Sequence, residues 1–563
     1  MYEEPSWLAT RIVLKREAIM RRLLVSTVFA LAVLLYQTFA HGDPVLKAGW
    51  PVKANVHIFG SCVTGDIVGD ANKEVICLSA NPGWYDWSAS VYAWDRYGSP
   101  LPGFPKYLGA TGWTNFGQGS PALADIDGDG SLEIIGSGGG KIYILNGDGT
   151  YQSGWPINLN TNSSPAISDL DGNGNLDLVV GGHDGKVYAW NSSGTSLAGW
   201  PVTTAGEVIF ATPAIADIDE DGKPEVVIGS ADDFVYVRNG DGTPVTGWPK
   251  SAGADIRSSA AVGDIDDDGE LEIVVGTNGN RVYAWDADGT LVSGWPVSTG
   301  GAVESSPALG DIDGDASLEV VVGCLDDKVY AWNGDGTAVI GWPVAAGGDV
   351  YSSPGLVDLD GDNALEVAVG VYTGTVRIWN GDGGLLYDLS EPGAILYSSP
   401  AFNDIDNDGS LEMAIGDESG WVYCWDFGAG TYDPALLAWP MFHHDSWHTG
   451  LYEGGSLWFI IYPEKPSYRA GETLKVYVQV MNPGAGIPVE VKTWMKDPDG
   501  YLQSLKKLPE IDLPAVFTST FLIYKHTFVA GDPDGIYTLG AALEDPITVE
   551  VFTRDTADFT FTP

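Results

Sequence analysis

SSPALGDIDGDASLEVVVGCLDDKVYAWNGDGTAVIGWPV, Ser305–Val344, is the stretch on which the fold turns. Its apolar residues alternate with period two and are cut by Gly, Asn and Asp. That pattern predicts four short strands: SPALGDI, LEVVVG, KVYAWN and one around GWPV. Close relatives of the string run from Gly49 to Pro440, and the first Asp of each acidic loop falls at Asp66, Asp125, Asp169, Asp217, Asp264, Asp311, Asp358 and Asp404. After a first gap of 59, the spacings are 44, 48, 47, 47, 47 and 46. Four strands at such a pitch make a propeller blade, which buries its two faces only against neighbours, so the ring must close. The expected fold is all-β: a β-propeller of eight blades, with seven plus a stray unit as the alternative, followed by a small β-sandwich.

Thirteen of the 21 tryptophans occupy two repeat positions: Trp50, Trp155, Trp200, Trp248, Trp295, Trp342 and Trp439 before Pro, and Trp94, Trp190, Trp285, Trp332, Trp379 and Trp425 ending the third strand. Such periodicity predicts packing between blades rather than ligand stacking. Residues 438–450, AWPMFHHDSWHTG, restore a Trp-Pro that is missing near Leu386 and are expected to supply the strand that closes the ring. Their His443, His444, Asp445 and His448 also suggest a metal cluster, although nothing fixes these side chains on one face.

The formal charge is -48, and the 28 basic residues are scattered, so the phosphate-neutralising surface of a nucleic-acid binder is absent. The acids recur singly at fixed offsets, which argues for metal loops rather than disorder. Arg21-Arg22, the apolar run Leu23–Leu35 and the small residues around Ala40 read as a signal peptide, with residues 1–40 removed and an extended segment before the arginines. That run is shorter than the ~20 residues that cross a bilayer, so no transmembrane helix is expected in the mature chain. Of the four cysteines, Cys62 and Cys77 end two strands that should pair, where a disulfide is plausible, while Cys324 and Cys424 read as core thiols. Residues 41–454 form the repeat domain. Residues 455–563, with segments such as TLKVYVQVMNPG and VEVKTWMKDPDG, read as an immunoglobulin-like β-sandwich.

Between the first two strands of each blade lies a loop with acids at positions 1, 3, 5 and 9, the oxygen set that suits calcium. The candidate ligands are Asp125, Asp127, Asp129 and Glu133; Asp169, Asp171, Asn173 and Asp177; Asp217, Asp219, Asp221 and Glu225; and Asp264, Asp266, Asp268 and Glu272. They continue with Asp311, Asp313, Asp315 and Glu319; Asp358, Asp360, Asp362 and Glu366; and Asp404, Asp406, Asp408 and Glu412. Three or four carboxylates in one small loop repel each other unless a cation compensates them. The first loop has Val68 at the third position and is expected to bind calcium poorly or not at all. Gly130 at position 6 allows a left-handed turn. Ala316 at that position should strain the sixth loop, whereas Asn363 in the seventh tolerates the conformation.

These loops, D-x-D-x-D-G-x-x-[DE] followed by apolar residues and Gly, resemble the FG-GAP or VCBS repeats, a family that includes the integrin α-subunit propeller. The resemblance covers about 390 residues. It implies calcium on one face and ligands on the opposite face, among the loops joining strands two to three and four to one. By that geometry the residue before the near-constant Ser-Ser-Pro rings the channel mouth: Phe59, Gln118, Asn162, Phe210, Arg257, Glu304, Tyr351 and Tyr397. On the same face the first blade extends a loop carrying Trp84, Tyr85 and Trp87, residues able to stack on a sugar or anchor a protein, or to fold back over the ring.

The leading expectation is an exported, calcium-binding, non-enzymatic binding or adhesion module outside the cell, whose partner is an extracellular protein or a glycan. The first rival is a calcium-dependent polysaccharide lyase resembling rhamnogalacturonan lyases. The second is a quinoprotein-like propeller, suggested by WPMF-x-x-D-x-x-x-T-G, although the adjacent cysteine pair of such dehydrogenases is missing.

Overall fold

The computed structural model describes residues 43–452 apart from 55–56, 81–86, 112–118, 206–210, 220, 361–363, 391–392, 430–436 and 447; beyond them it describes strands between 458 and 562. Eight antiparallel sheets form the ring, and six of them have four strands in consecutive order. In the sixth blade these are Ala308–Gly310, Glu319–Cys324, Lys328–Asn333 and Val344–Ala345. The second strand, EVVVGC, is buried at every position. Its valines alternate between the sheet's two faces, and each face is covered by a neighbouring blade. The two-residue outer strand limits the free edge that a foreign chain could extend.

The tryptophans join neighbouring blades, as their periodicity predicts. Trp295 meets Trp332 edge-on at 6.2 Å and donates its Nε1–H to Gly334 O at 2.7 Å. Trp155 repeats the arrangement with Trp190 and Ser192 O, as does Trp342 with Trp379 and Gly381 O. At the inner rim a second set of links passes from blade to blade. Ser259 N–H donates to Ser306 Oγ, Ser306 N–H to Ser353 Oγ, Ser353 N–H to Ser399 Oγ, and Ser399 N–H to Ser61 Oγ, all at 2.9–3.0 Å. The series continues from Ser61 to Ser120 and from Ser120 to Ser164, and it resumes between Thr212 and Ser259.

The ring is not closed by residues 438–450. The outer strands of the last blade come from the other end of the repeat domain: Val45–Leu46 and Val52–Lys53 pair with Trp421–Ala429. The reason is visible at Trp50, which fills the Trp-Pro position of that blade and packs edge-on to Trp94 at 6.3 Å. Trp439-Pro440 is thereby freed for another place. Its segment crosses the central channel and bonds to the inner strands: Leu356 N–H donates to Trp439 O, Phe402 N–H to Pro440 O, Leu123 N–H to Ser446 O, and Val262 N–H to Gly450 O, at 2.7–2.9 Å. Segment 438–452 is a plug.

Cys62 and Cys77 form a disulfide, and Cys324 and Cys424 are buried free thiols. Among the described residues of the C-terminal part, nine strands make a three-stranded and a six-stranded sheet. Trp458–Pro463 of the first lies against Val551–Thr562 of the second, the two-layer arrangement of a sandwich. No helix among the described residues is long and apolar enough to cross a membrane.

Acidic loops on one face and a cavity at the channel mouth

Each inner strand runs from the serine or threonine of the rim to the first Asp of its loop, so the acidic loops and the hydroxyl rim lie on opposite faces of the ring. In all eight loops the carboxylate at position 9 accepts from the backbone N–H at position 2, at 2.6–3.2 Å. The first Asp accepts from the N–H at position 6, for example Gly130 at 2.9 Å and Gly269 at 3.1 Å. Position 6 is left-handed throughout the described loops: φ is 91° at Gly130, 75° at Ala316 and 72° at Ala71. Ala316 therefore carries the expected backbone strain, and Ala71 of the first loop, which the sequence reading passed over, shares it.

In several loops these bonds leave a second oxygen without a partner. Glu319 Oε1, Asp177 Oδ1, Asp125 Oδ1 and Asp217 Oδ1 are buried with no partner. The second to sixth loops each bring three acids together with ligand oxygens within 4.8 Å of one another, for example Asp264, Asp266 and Glu272. Burial, with a smaller contribution from the neighbouring aspartates, pushes the ninth-position carboxyls up: Asp177 to about 6, Glu133 and Glu225 to about 7, Glu272 and Glu319 to about 8. A hard divalent cation fits this donor set, because it supplies the partner that the orphaned oxygens lack and favours their ionised form. Asp362 of the seventh loop lies outside the described residues.

Two of the seven acid-rich loops expected to hold a metal need separate treatment. The seventh keeps Asp358 and Glu366 buried, with Glu366 accepting from Leu359 N–H at 2.6 Å. The eighth, Asp404, Asp406, Asp408 and Glu412, is entered by Lys47, whose Nζ lies 2.8 Å from Asp406 Oδ2 and 2.9 Å from Glu412 Oε1. The sequence reading missed this contact.

On the opposite face six of the eight ring residues come together. Phe59, Asn162, Arg257, Glu304, Tyr351 and Tyr397 line one cavity of about 210 Å³ above the serine rim, and Phe442 of the plug forms its floor. The wall is two-sided. Tyr397 lies between Phe59 and Tyr351, at ring distances of 5.7 and 5.2 Å, and Tyr372 joins them at 5.8 Å from Tyr397. Across the mouth, Arg257 pairs with Glu304 at 3.4 Å, and Asn162, 3% exposed, has an unpartnered Oδ1. Tyr372 and Phe442 were absent from the expected ring. Tyr372 stands in a strand two-to-three loop, where the repeat geometry could have pointed, whereas no local signal marks Phe442. Trp84, Tyr85, Phe210 and Gln118 lie outside the described residues, and for Trp87 only the backbone is described, at the start of strand Trp87–Trp94.

The histidines of the plug hold it to the ring. His443 Nε2 lies 2.9 Å from Ala260 O, and His448 Nδ1 lies 2.9 Å from Pro165 O. His443 Nδ1 also lies 2.7 Å from His448 O, and burial pushes both histidines below the ordinary imidazole range, to about 4, against the opposing pull of these carbonyls. Asp445 accepts from the Thr449 hydroxyl at 2.6 Å. It also accepts from Thr449 N–H at 3.1 Å, and His444 Nδ1 lies 3.5 Å from its Oδ2.

The ring and its loops define a class: an eight-bladed propeller with D-x-D-x-D loops on one face. Residues 125–180, 169–228, 217–275 and 264–322 match the FG-GAP-like repeat, so the chain carries FG-GAP-like repeats from the second loop to the sixth. No curated protein matches the sequence. Among solved structures, the chain is similar to BBS1N in its complex with ARL6DN, at 16% identity over 56% of this chain and 92% of that one, with a TM-score of 0.41. It is also similar to the V. cholerae biofilm matrix protein Bap1, at 13% identity over 70% and 92% with a TM-score of 0.48. The Dos1 propeller aligns at 12% identity over 69% and 96%, again with a TM-score of 0.48. These likenesses concern the fold alone.

Proposed function

We propose that this chain is an exported, calcium-loaded binding module that engages an extracellular protein or glycan at the mouth of its central channel. The carrying observation is that a position whose residue changes along the repeats converges, from six described blades, on one cavity above an almost constant hydroxyl rim. In this reading calcium occupies the acidic loops, with Glu272 or Glu319 and the aspartates of the same loop as ligands, and stiffens the blades without touching the partner. The cavity is smaller than the ~300–1,000 Å³ of a drug-sized pocket. It suits one ring-sized group at the end of a larger partner, with aromatic faces on one side and Arg257, Glu304 and Asn162 on the other.

Burial raises Tyr351 and Tyr397 above the ordinary phenol range, with the hydrogen bond to Tyr372 adding to the effect at Tyr397. Their hydroxyls stay protonated and are available as hydrogen-bond donors to a ligand. The test is a glycan and surface-protein array probed in calcium and in chelator, run beside an assay of pectin for unsaturated products. Array partners without product support the proposal; product formation replaces it with the lyase reading.

A further inference from the structure

The eighth loop keeps the internal bonds of its siblings. Glu412 Oε2 accepts from Ile405 N–H at 2.7 Å, and Asp404 Oδ2 accepts from Gly409 N–H at 3.1 Å. What differs is the second oxygen. Glu319 Oε1 of the sixth loop is buried without a partner, whereas Glu412 Oε1 accepts from Lys47 Nζ at 2.9 Å. The same ammonium lies 2.8 Å from Asp406 Oδ2, so it sits between the acids at positions 3 and 9. Those two positions, with the first Asp, form the acid cluster in the second to fifth loops.

Lys47 belongs to the ring closure. It lies between Val45–Leu46 and Val52–Lys53, the strands that complete the last blade, and its own N–H donates to Cys424 O at 2.9 Å. Its side chain is 9% exposed and that of Glu412 is 0% exposed. An ammonium so far from water needs compensating charge and full hydrogen bonding, and the loop supplies both. Burial works to lower the Lys47 pKa, but the bonds to Asp406 and Glu412 outweigh it and hold the group above the usual lysine range.

We infer that Lys47 is the built-in cation of the eighth loop: its ammonium takes the place, between the acids at positions 3 and 9, that a divalent ion would take in the second to seventh loops, and it latches the closing strands to the last blade. The inference rests on the calcium reading of those other loops. A divalent ion entering the eighth loop would have to displace the ammonium, since the two cannot share one pair of carboxylates without strong repulsion. The first loop, on the other side of the seam, lacks a carboxylate at Val68, and Arg96 donates to Asn72 within it. Both loops flanking the seam thus contain or adjoin a basic side chain of the chain itself. Loss of calcium therefore loosens the interior blades while the seam stays closed.

The test is the number of calcium ions retained by the full chain after equilibrium dialysis, counted by elemental analysis. Wild type should hold one ion for each of the second to seventh loops, and Lys47→Met should hold one more. A wild type that already holds the extra ion, or a folded Lys47→Met with no gain, overturns the inference. If Lys47→Met does not fold, the comparison moves to Asp406→Asn, expected to retain the wild-type number, and Asp313→Asn, expected to lose one ion. An ion lost from Asp406→Asn overturns the inference, whereas no calcium in any variant overturns the calcium reading and this inference with it.

Discussion

The two faces of the propeller differ in what their repeats hold constant. On the loop face every blade places an acid at position 9 and bonds it to the same backbone N–H. On the mouth face the corresponding residues range from Phe59 to Arg257 and Tyr351. One face solves the same local problem eight times: how to turn a tight loop around buried charge. The other combines unlike residues into a single asymmetric cavity. Under the proposed function that difference separates stability from recognition, because the position 9 acids bond within their own blades and the mouth residues of different blades converge on one cavity.

The largest effect should come from removing calcium, which acts on many blades and no mouth residue. An ion at a hundred times its dissociation constant stabilises by about 2.7 kcal/mol per site, so chelation should lower the melting temperature on the order of ten degrees. An unchanged melt in excess chelator would erase the distinction between the faces. Trp295→Ala comes next, at a cost of ~3–5 kcal/mol, and it should cost nearly as much in chelator as in calcium because that side chain joins blades by packing. A loss confined to calcium buffer would place Trp295 in the metal's support instead.

Within the loop face, Asp266→Ala should cost about 2–3 kcal/mol in calcium and little in chelator, since what it removes is an ion. Asp70→Ala, in the loop with Val68, should leave the melt close to wild type in both buffers. Equal losses would mean that the loops are alike after all. The smallest effect is a pH slope. In the stripped protein Glu272 and Glu319 have folded values of about 8 against 4.5 for the free carboxyl, so the folded state holds protons that the unfolded chain releases. That stabilising contribution is complete below 4.5 and is lost as pH rises to about 8. The melting temperature in chelator should therefore fall over that range, and calcium should flatten or reverse the trend. A rise in chelator would contradict the burial of these acids.

The repeat made most of this fold readable from the chain alone. Its pitch specifies blades, its alternation specifies strands, and its two tryptophan positions specify the joints, because each is a local pattern repeated many times. The exceptions share the opposite property. Val45–Leu46 is too short to show alternation, and Lys47 meets Glu412 across 365 residues, so no periodic signal marks either. The Trp439-Pro440 pair reads as an outer strand by local pattern. It became a plug because Trp50 had already filled the position it matches, a competition that only the closed ring reveals. At the mouth, the Ser-Ser-Pro offset located Arg257, Glu304, Tyr351 and Tyr397. The floor at Phe442 depends on the plug and was hidden for the same reason.

The central claim is that recognition resides at the mouth and calcium-dependent stability on the opposite face. It is tested most directly by running Arg257→Ala/Tyr351→Ala beside wild type on the same array and in paired melts with calcium and with chelator. The account predicts that the variant loses the wild-type array signals, while its melt stays within ~1 kcal/mol of wild type in each buffer, as expected for half-buried side chains outside the core. Array signals retained at full strength, or a calcium-dependent melt that collapses with the mouth substitutions, would contradict it.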